Sequence, residues 1–150
     1  MSRWSMAELL PHAGDMILID ELLDYDSEHV RVRLTVRPGT PFSRPDGSLP
    51  AWVGIELMAQ AIGAYAGCRF LLAGQPIELG FLLGTRRYEC NVDSFAVGTK
   101  LEVSAVRSLE DETGMGVFEC HIQGPGVRVE ARLNVFRPPE VARYLKEPAP

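Results

Sequence analysis

The sequence predicts an α+β domain in which a strongly curved antiparallel sheet wraps one long buried helix. Three observations carry this. His29 to Arg37 alternates Val30, Val32, Leu34 and Val36 with Arg31, Arg33, Thr35 and Arg37, the period of a half-buried strand. Ala51 to Leu72 is the long helix candidate, and from Trp52 to Cys68 only Glu56 and Gln60 are clearly polar. A helix apolar on nearly all sides is buried on nearly all sides. The chain after it is rich in strands, and one helix cannot cover two sheet faces, whereas a curved sheet can wrap around it.

The elements follow in order. Trp4 to Leu10 forms a short helical turn capped by Ser5 and ended by Pro11. Met16 to Ile19 is apolar without a break, and Asp20, Glu21, Asp24 and Asp26 follow, so this segment reads as a strand leading into a turn. Residues 38–50 hold four prolines and two glycines and form a long loop. Pro50 sits where a helix start tolerates it, and Gly74 with Pro76 closes the helix. Strands are expected over Phe81–Val92, with a possible break at Gly84, then over Thr99–Leu109 and Val117–Gln123. A last strand alternates Val127, Val129, Ala131, Leu133 and Val135 with polar residues after the Gly-Pro-Gly turn at 124–126. Two strands, one buried helix and about four strands make the hot-dog arrangement. Its exposed edge strand favours a dimer. Residues 1–140 form one domain, and 141–150 a loose tail.

Composition narrows the function. The chain has 150 residues, 46% apolar and 23% charged, with a formal charge of −5. Disorder, collagen and coiled coil are excluded, and the acidic balance argues against nucleic-acid binding. Cys68, Cys90 and Cys120 are too few and too far apart for a zinc motif, and an odd count fits a reduced, cytoplasmic protein. The N-terminus lacks a secretory apolar stretch. The helix carries a carboxylate and three glycines, which argues against a membrane span.

Glu56 is the strongest chemical feature, because it is the only charge between residues 47 and 68. Burial would raise its pKa, the nearby helix N-terminus would lower it, and a carboxyl near neutrality can serve as general acid or base. The bland alternative is a wet side of the helix or an arginine partner. Gln60, four residues on, shares its face and could orient the carboxylate, bind a carbonyl, or make a polar contact with a neighbouring strand. His29 and His121 read as surface residues. His12, in LPHAGDM, could be a general base or bond its own turn. No His or Cys pair has ligand spacing, no G-x-S-x-G occurs, and no phosphate loop precedes the helix, so neither a metal nor another cofactor is expected.

At these residues the sequence resembles the bacterial 3-hydroxyacyl-acyl-carrier-protein dehydratases. LLPHAGDMILIDELLDYD is similar to that family's opening leucine-proline-histidine motif, and GIELMAQAIGAYAG to its helix motif. The match puts Glu56 on the family's catalytic carboxylate. Gly84 in FLLG is similar to the glycine whose backbone amide helps hold the thioester carbonyl, and FAVGTKLEV to a later strand. The likeness spans about residues 7–136. It implies a hot-dog dimer acting on acyl thioesters carried by acyl carrier protein or coenzyme A, with catalytic residues drawn from opposite subunits. The family's histidine loop before the helix reads PFSRPDGSLPAWVG here and holds no histidine. LPHAGDM, DGSLPAWVGIELMAQA and GFLLGTRRY most resemble a divergent, dehydratase-like branch of aryl-polyene pigment clusters.

Dehydration needs a base at Cα and an acid for the departing hydroxyl. If Glu56 takes one role, His12 or a second subunit supplies the other, in a homodimer or in a heterodimer with a complete dehydratase. A thioesterase and a non-catalytic acyl-binding subunit are the competing functions. Residues 1–28 hold seven acids and one arginine, whereas His29 to Pro45 holds four arginines and no acid. Arg86 and Arg87 are expected to dock an acidic carrier or its phosphopantetheine arm, and Arg31 and Arg33 to be a solvated strand face.

Overall fold

Ser5 caps the first helix, α1 (Met6–Leu9), through a capping box in which Glu8 reaches back to the Ser5 amide. The computed structural model describes residues 5–10, 14–74, 81–110 and 114–136. The tail 141–150 and the end of the 1–140 domain lie outside that set. A 3-10 turn (Gly14–Met16) precedes β1 (Glu21–Tyr25) and β2 (His29–Thr35). β3 (Leu49–Pro50) leads into α2 (Val53–Leu72). β4 (Phe81–Cys90), β5 (Ser94–Phe95), β6 (Lys100–Glu110), β7 (Met115–Gly124) and β8 (Val127–Phe136) follow.

Six strands form one antiparallel sheet in the order β1-β2-β6-β7-β8-β4, and β3 pairs with β5. The inward residues of β2, Val30, Val32 and Leu34, lie with Leu101, Val103 and Ala105 of β6 and Val129, Ala131 and Leu133 of β8 in one core around α2. Leu57, Met58, Ala61 and Ala64 of α2 are fully buried in it. Gly67 of α2 faces the backbone of Leu9, where a Cβ would overlap the Leu9 carbonyl oxygen. Glycine here is what lets α1 lie against α2.

The expected strand at Met16–Ile19 is not one. Ile17, Leu18 and Ile19 are buried, but the first strand begins at Glu21. Burial alone makes a segment apolar. Side chains satisfy much of the backbone of 16–18 instead: Gln60 bonds the Leu18 amide and the Met16 carbonyl, and Arg37 donates to the Ile17 carbonyl at 2.7 Å, while the Ile17 amide turns back to the Gly14 carbonyl. α2 also starts two residues later than read from sequence. Ala51 is held outside the helix, its amide on the Asp93 carbonyl at 3.1 Å, and Trp52 occupies the cap position with no side-chain capping bond.

The charge asymmetry along the chain closes on itself. Arg31 pairs with Asp24 and with Glu102 (3.0 Å), Arg33 with Glu21, and Arg37 with Asp20 at 3.2 Å. The acidic N-terminal segment thus neutralises the arginine-rich strand beside it. At the β1–β2 hairpin, His29 places one ring nitrogen 2.8 Å from Asp24 and the other 2.7 Å from Asp26. The Asp24 hydrogen bond, then that of Asp26, raises the His29 pKa above its ordinary 6.5. Arg31, then His29, lowers that of Asp24, while the backbone amides of Glu28 and His29 lower that of Asp26. Raised histidine and lowered carboxylates fix the sign. The histidine contribution is complete below about pH 6.5 and is lost as pH rises through the raised value. The carboxylate contribution is complete above about pH 4 and is lost as pH falls. Urea midpoints should therefore drop from pH 6 to pH 8.5, and His29→Gln should flatten that drop. An equal drop in the variant would place its cause elsewhere.

Candidate active site

The face that α2 leaves uncovered carries Glu56. Trp52, Ile55, Glu56, Ala59, Gly63 and Ala66 are exposed or half-exposed, while most of the helix between them is buried. Their spacing of three and four residues makes one stripe along the helix. Glu56 is the only carboxylate on it, and exposed Arg69 continues the stripe at the far end of the helix. Among the described residues Glu56 forms no hydrogen bond and no ion pair. Burial raises its pKa above the ordinary carboxylate value. A half-buried carboxyl without a partner is poised to exchange a proton with something that enters from outside.

Gln60 is four residues away but serves the fold. It is fully buried, its Oε1 accepts from the Leu18 amide at 2.9 Å, and its Nε2 donates to the Met16 carbonyl at 2.8 Å. Of the roles open in the sequence, the polar contact with neighbouring backbone is the one observed. His12 lies outside the described residues. Gly84 sits half-buried in β4 at a shift of register, with open space beside its Cα. Arg86 and Arg87 are exposed on the same strand. Arg87 lines a shallow cavity of about 240 Å³ with Glu119, His121, Glu130 and Arg132.

Two features escaped the sequence. Trp52 is 59% exposed and meets Phe42 of the long loop edge-on, with ring centroids 6.4 Å apart. It stands one turn before Glu56. Tyr88 of β4 donates to the Ala51 carbonyl at 2.5 Å, next to the start of α2. The buried thiols Cys68 and Cys120 are not candidates for nucleophilic work, because burial pushes Cys68 up to about 11 and Cys120 up to about 12.

A curved antiparallel sheet around one helix, with a lone carboxyl on the helix's open face, defines a protein of the hot-dog class. A family model described as ApeP-like, the ApeP dehydratase, matches residues 4–146, and the chain belongs to that family. Among solved structures, the dehydratase heterocomplex ApeI:P from Xenorhabdus doucetiae is similar at 33% identity and a TM-score of 0.85. That match covers 97% of this chain and 100% of the other. Two more distant likenesses concern the fold. The E. coli PaaI protein of the phenylacetic acid degradation operon is 13% identical, with a TM-score of 0.58 over 78% of this chain and 82% of its own. Cj0977 of Campylobacter jejuni is 14% identical, with a TM-score of 0.60 over 90% and 96%. Comparison with curated protein sequences returned no match. Among the described residues no helix is long and apolar enough to cross a membrane.

Proposed function

We propose that this chain is a dehydratase subunit acting on 3-hydroxyacyl thioesters in aryl-polyene assembly, with Glu56 as the acid. The observation that carries it is the partnerless, half-buried carboxyl of Glu56 on the open face of α2. In the step, a base takes the Cα proton, the Cα=Cβ bond forms, and the Cβ–O bond breaks. Glu56 protonates the departing hydroxyl, which leaves as water. The base is His12 or a histidine of a second dehydratase subunit. The likeness to a dehydratase heterocomplex favours the pairing with a second, related dehydratase. Gly84 offers its backbone amide to the thioester carbonyl, and the exposed Arg86 and Arg87 meet the acidic carrier protein.

The experiment is a 3-hydroxyacyl thioester given to the purified chain, alone and mixed with its partner dehydratase. Enoyl product only on mixing, and lost in Glu56→Ala of this chain, supports the shared site. Turnover by the chain alone that vanishes in His12→Ala assigns the base to His12. Release of free thiol without enoyl product makes the chain a thioesterase, and tight acyl binding without turnover makes it a binding subunit. Arg86→Glu with Arg87→Glu should raise KM for a carrier-bound substrate several-fold at low salt and leave a coenzyme A substrate unaffected. An unchanged KM for both removes these arginines from the dock.

A further inference from the structure

We infer that the bulge in β4 at Arg87 aims Tyr88 at the start of α2, and that Tyr88 is a positioning residue for Glu56. Strand β4 pairs with β8 through Arg86 opposite Arg132 and Glu89 opposite Glu130. Three steps along β4 thus match two along β8, so β4 holds one extra residue. Arg87 takes it up with φ of 54°, a conformation that residues with a Cβ seldom adopt. The consequence is a change of phase. Simple alternation after the outward Arg86 would turn Arg87 inward and Tyr88 outward. With the bulge, Arg86, Arg87 and Glu89 are all exposed, while Tyr88 and Cys90 pack against the core. Bulges beside active sites commonly re-aim a side chain in this way.

What Tyr88 reaches is the turn that begins the helix of Glu56. Its hydroxyl donates to the Ala51 carbonyl, which also accepts from the Gly54 amide at 3.1 Å. Gly54 makes room for it, since a Cβ there would overlap the phenol oxygen. The helix start needs this help because its cap residue is Trp52, which makes no side-chain capping bond. Leu49 and Pro50 paired with Phe95 and Ser94 hold the incoming chain, the Asp93 carbonyl holds the Ala51 amide, and Tyr88 holds the Ala51 carbonyl. Together these three attachments fix where the first turn of α2, and so Glu56, stands against the sheet. Burial keeps the phenol protonated at all ordinary pH, so it remains a donor.

This rests on the role proposed for Glu56, and the test separates the two. Tyr88→Phe removes the hydroxyl and keeps the ring. In the full chain with its partner it should lower kcat roughly tenfold with KM unchanged, the signature of a misplaced group and not of lost binding. The Glu56 carboxyl, followed by carbon-13 NMR, should titrate closer to the ordinary carboxylate range as its surroundings loosen. Gly54→Ala should lower the melting temperature by several degrees, and adding Tyr88→Phe should recover part of the loss by removing the overlap. A Tyr88→Phe variant with wild-type kcat and unmoved Glu56 titration overturns the inference, as does a harmless Gly54→Ala. Full turnover in Glu56→Gln would remove only the catalytic role of Glu56, because the titration still reports whether Tyr88 positions it.

Discussion

Glu56→Gln should cut turnover steeply while making the protein more stable at neutral and alkaline pH. The carboxamide keeps the shape of the side chain but cannot deliver a proton, so kcat should fall by about 10²- to 10⁴-fold, the usual contribution of a placed acid or base. KM should change little, since the lost interaction belongs to the transition state. The pH profile gives a second signature. A carboxyl whose pKa is raised by burial is protonated over a wider range, so wild-type activity should decline as pH rises through that value. The residual activity of the glutamine variant should lack this limb. Stability runs the other way. The folded state holds the Glu56 proton more tightly than the unfolded chain does, so ionised Glu56 costs stability above its raised pKa and costs nothing well below the ordinary value. The gain from glutamine should be present at pH 8 and fade toward pH 4. Urea midpoints at both pH values, read beside initial rates, check both halves. A variant that turns over at the wild-type rate would end the catalytic role of Glu56.

Period-two and helical patterns made most of the fold legible. Val30, Val32 and Leu34 announce β2, Val129, Ala131 and Leu133 announce β8, and the long apolar run announces α2. These signals are local, because each strand's burial is written in its own alternation. Ile17–Ile19 misled because an apolar run says only that a segment is buried, and its hydrogen-bond partner lies 42 residues away in Gln60. The site divides in the same way. Glu56 stands out in sequence as a charge in an apolar helix. Tyr88 does not, because its inward phase depends on a bulge at Arg87, and nothing in an arginine announces a positive φ. The sequence reads Arg31 and Arg33 of β2 only as a solvated strand face. The β1–β2 hairpin that pairs Arg31 with Asp24 and Arg33 with Glu21 is a tertiary fact.

The second large effect is on stability, at Gln60. Gln60→Leu should destabilise the chain by about 2–5 kcal/mol, because each buried backbone group left unpaired costs about 1–3 kcal/mol. Two groups lose their partner at once: the Leu18 amide, in a residue only 1% exposed, and the carbonyl of half-buried Met16, which contributes the smaller share. Leucine restores apolar volume, so a loss this large cannot be assigned to a cavity, and against a total of about 5–15 kcal/mol it is a large fraction. Gln60→Glu discriminates further. Glutamate keeps the acceptor for Leu18 but, when ionised, turns an oxygen toward the Met16 carbonyl oxygen and leaves a charge inside the core. Its destabilisation should therefore ease as pH falls and the carboxyl takes up a proton that it can donate to that carbonyl. Urea unfolding at pH 5 and pH 8 reads this directly, with an unchanged m-value showing that the unfolded state is the same. If Gln60→Leu instead matched wild type in stability and lost only substrate affinity, Gln60 would belong to the binding site and not to the fold.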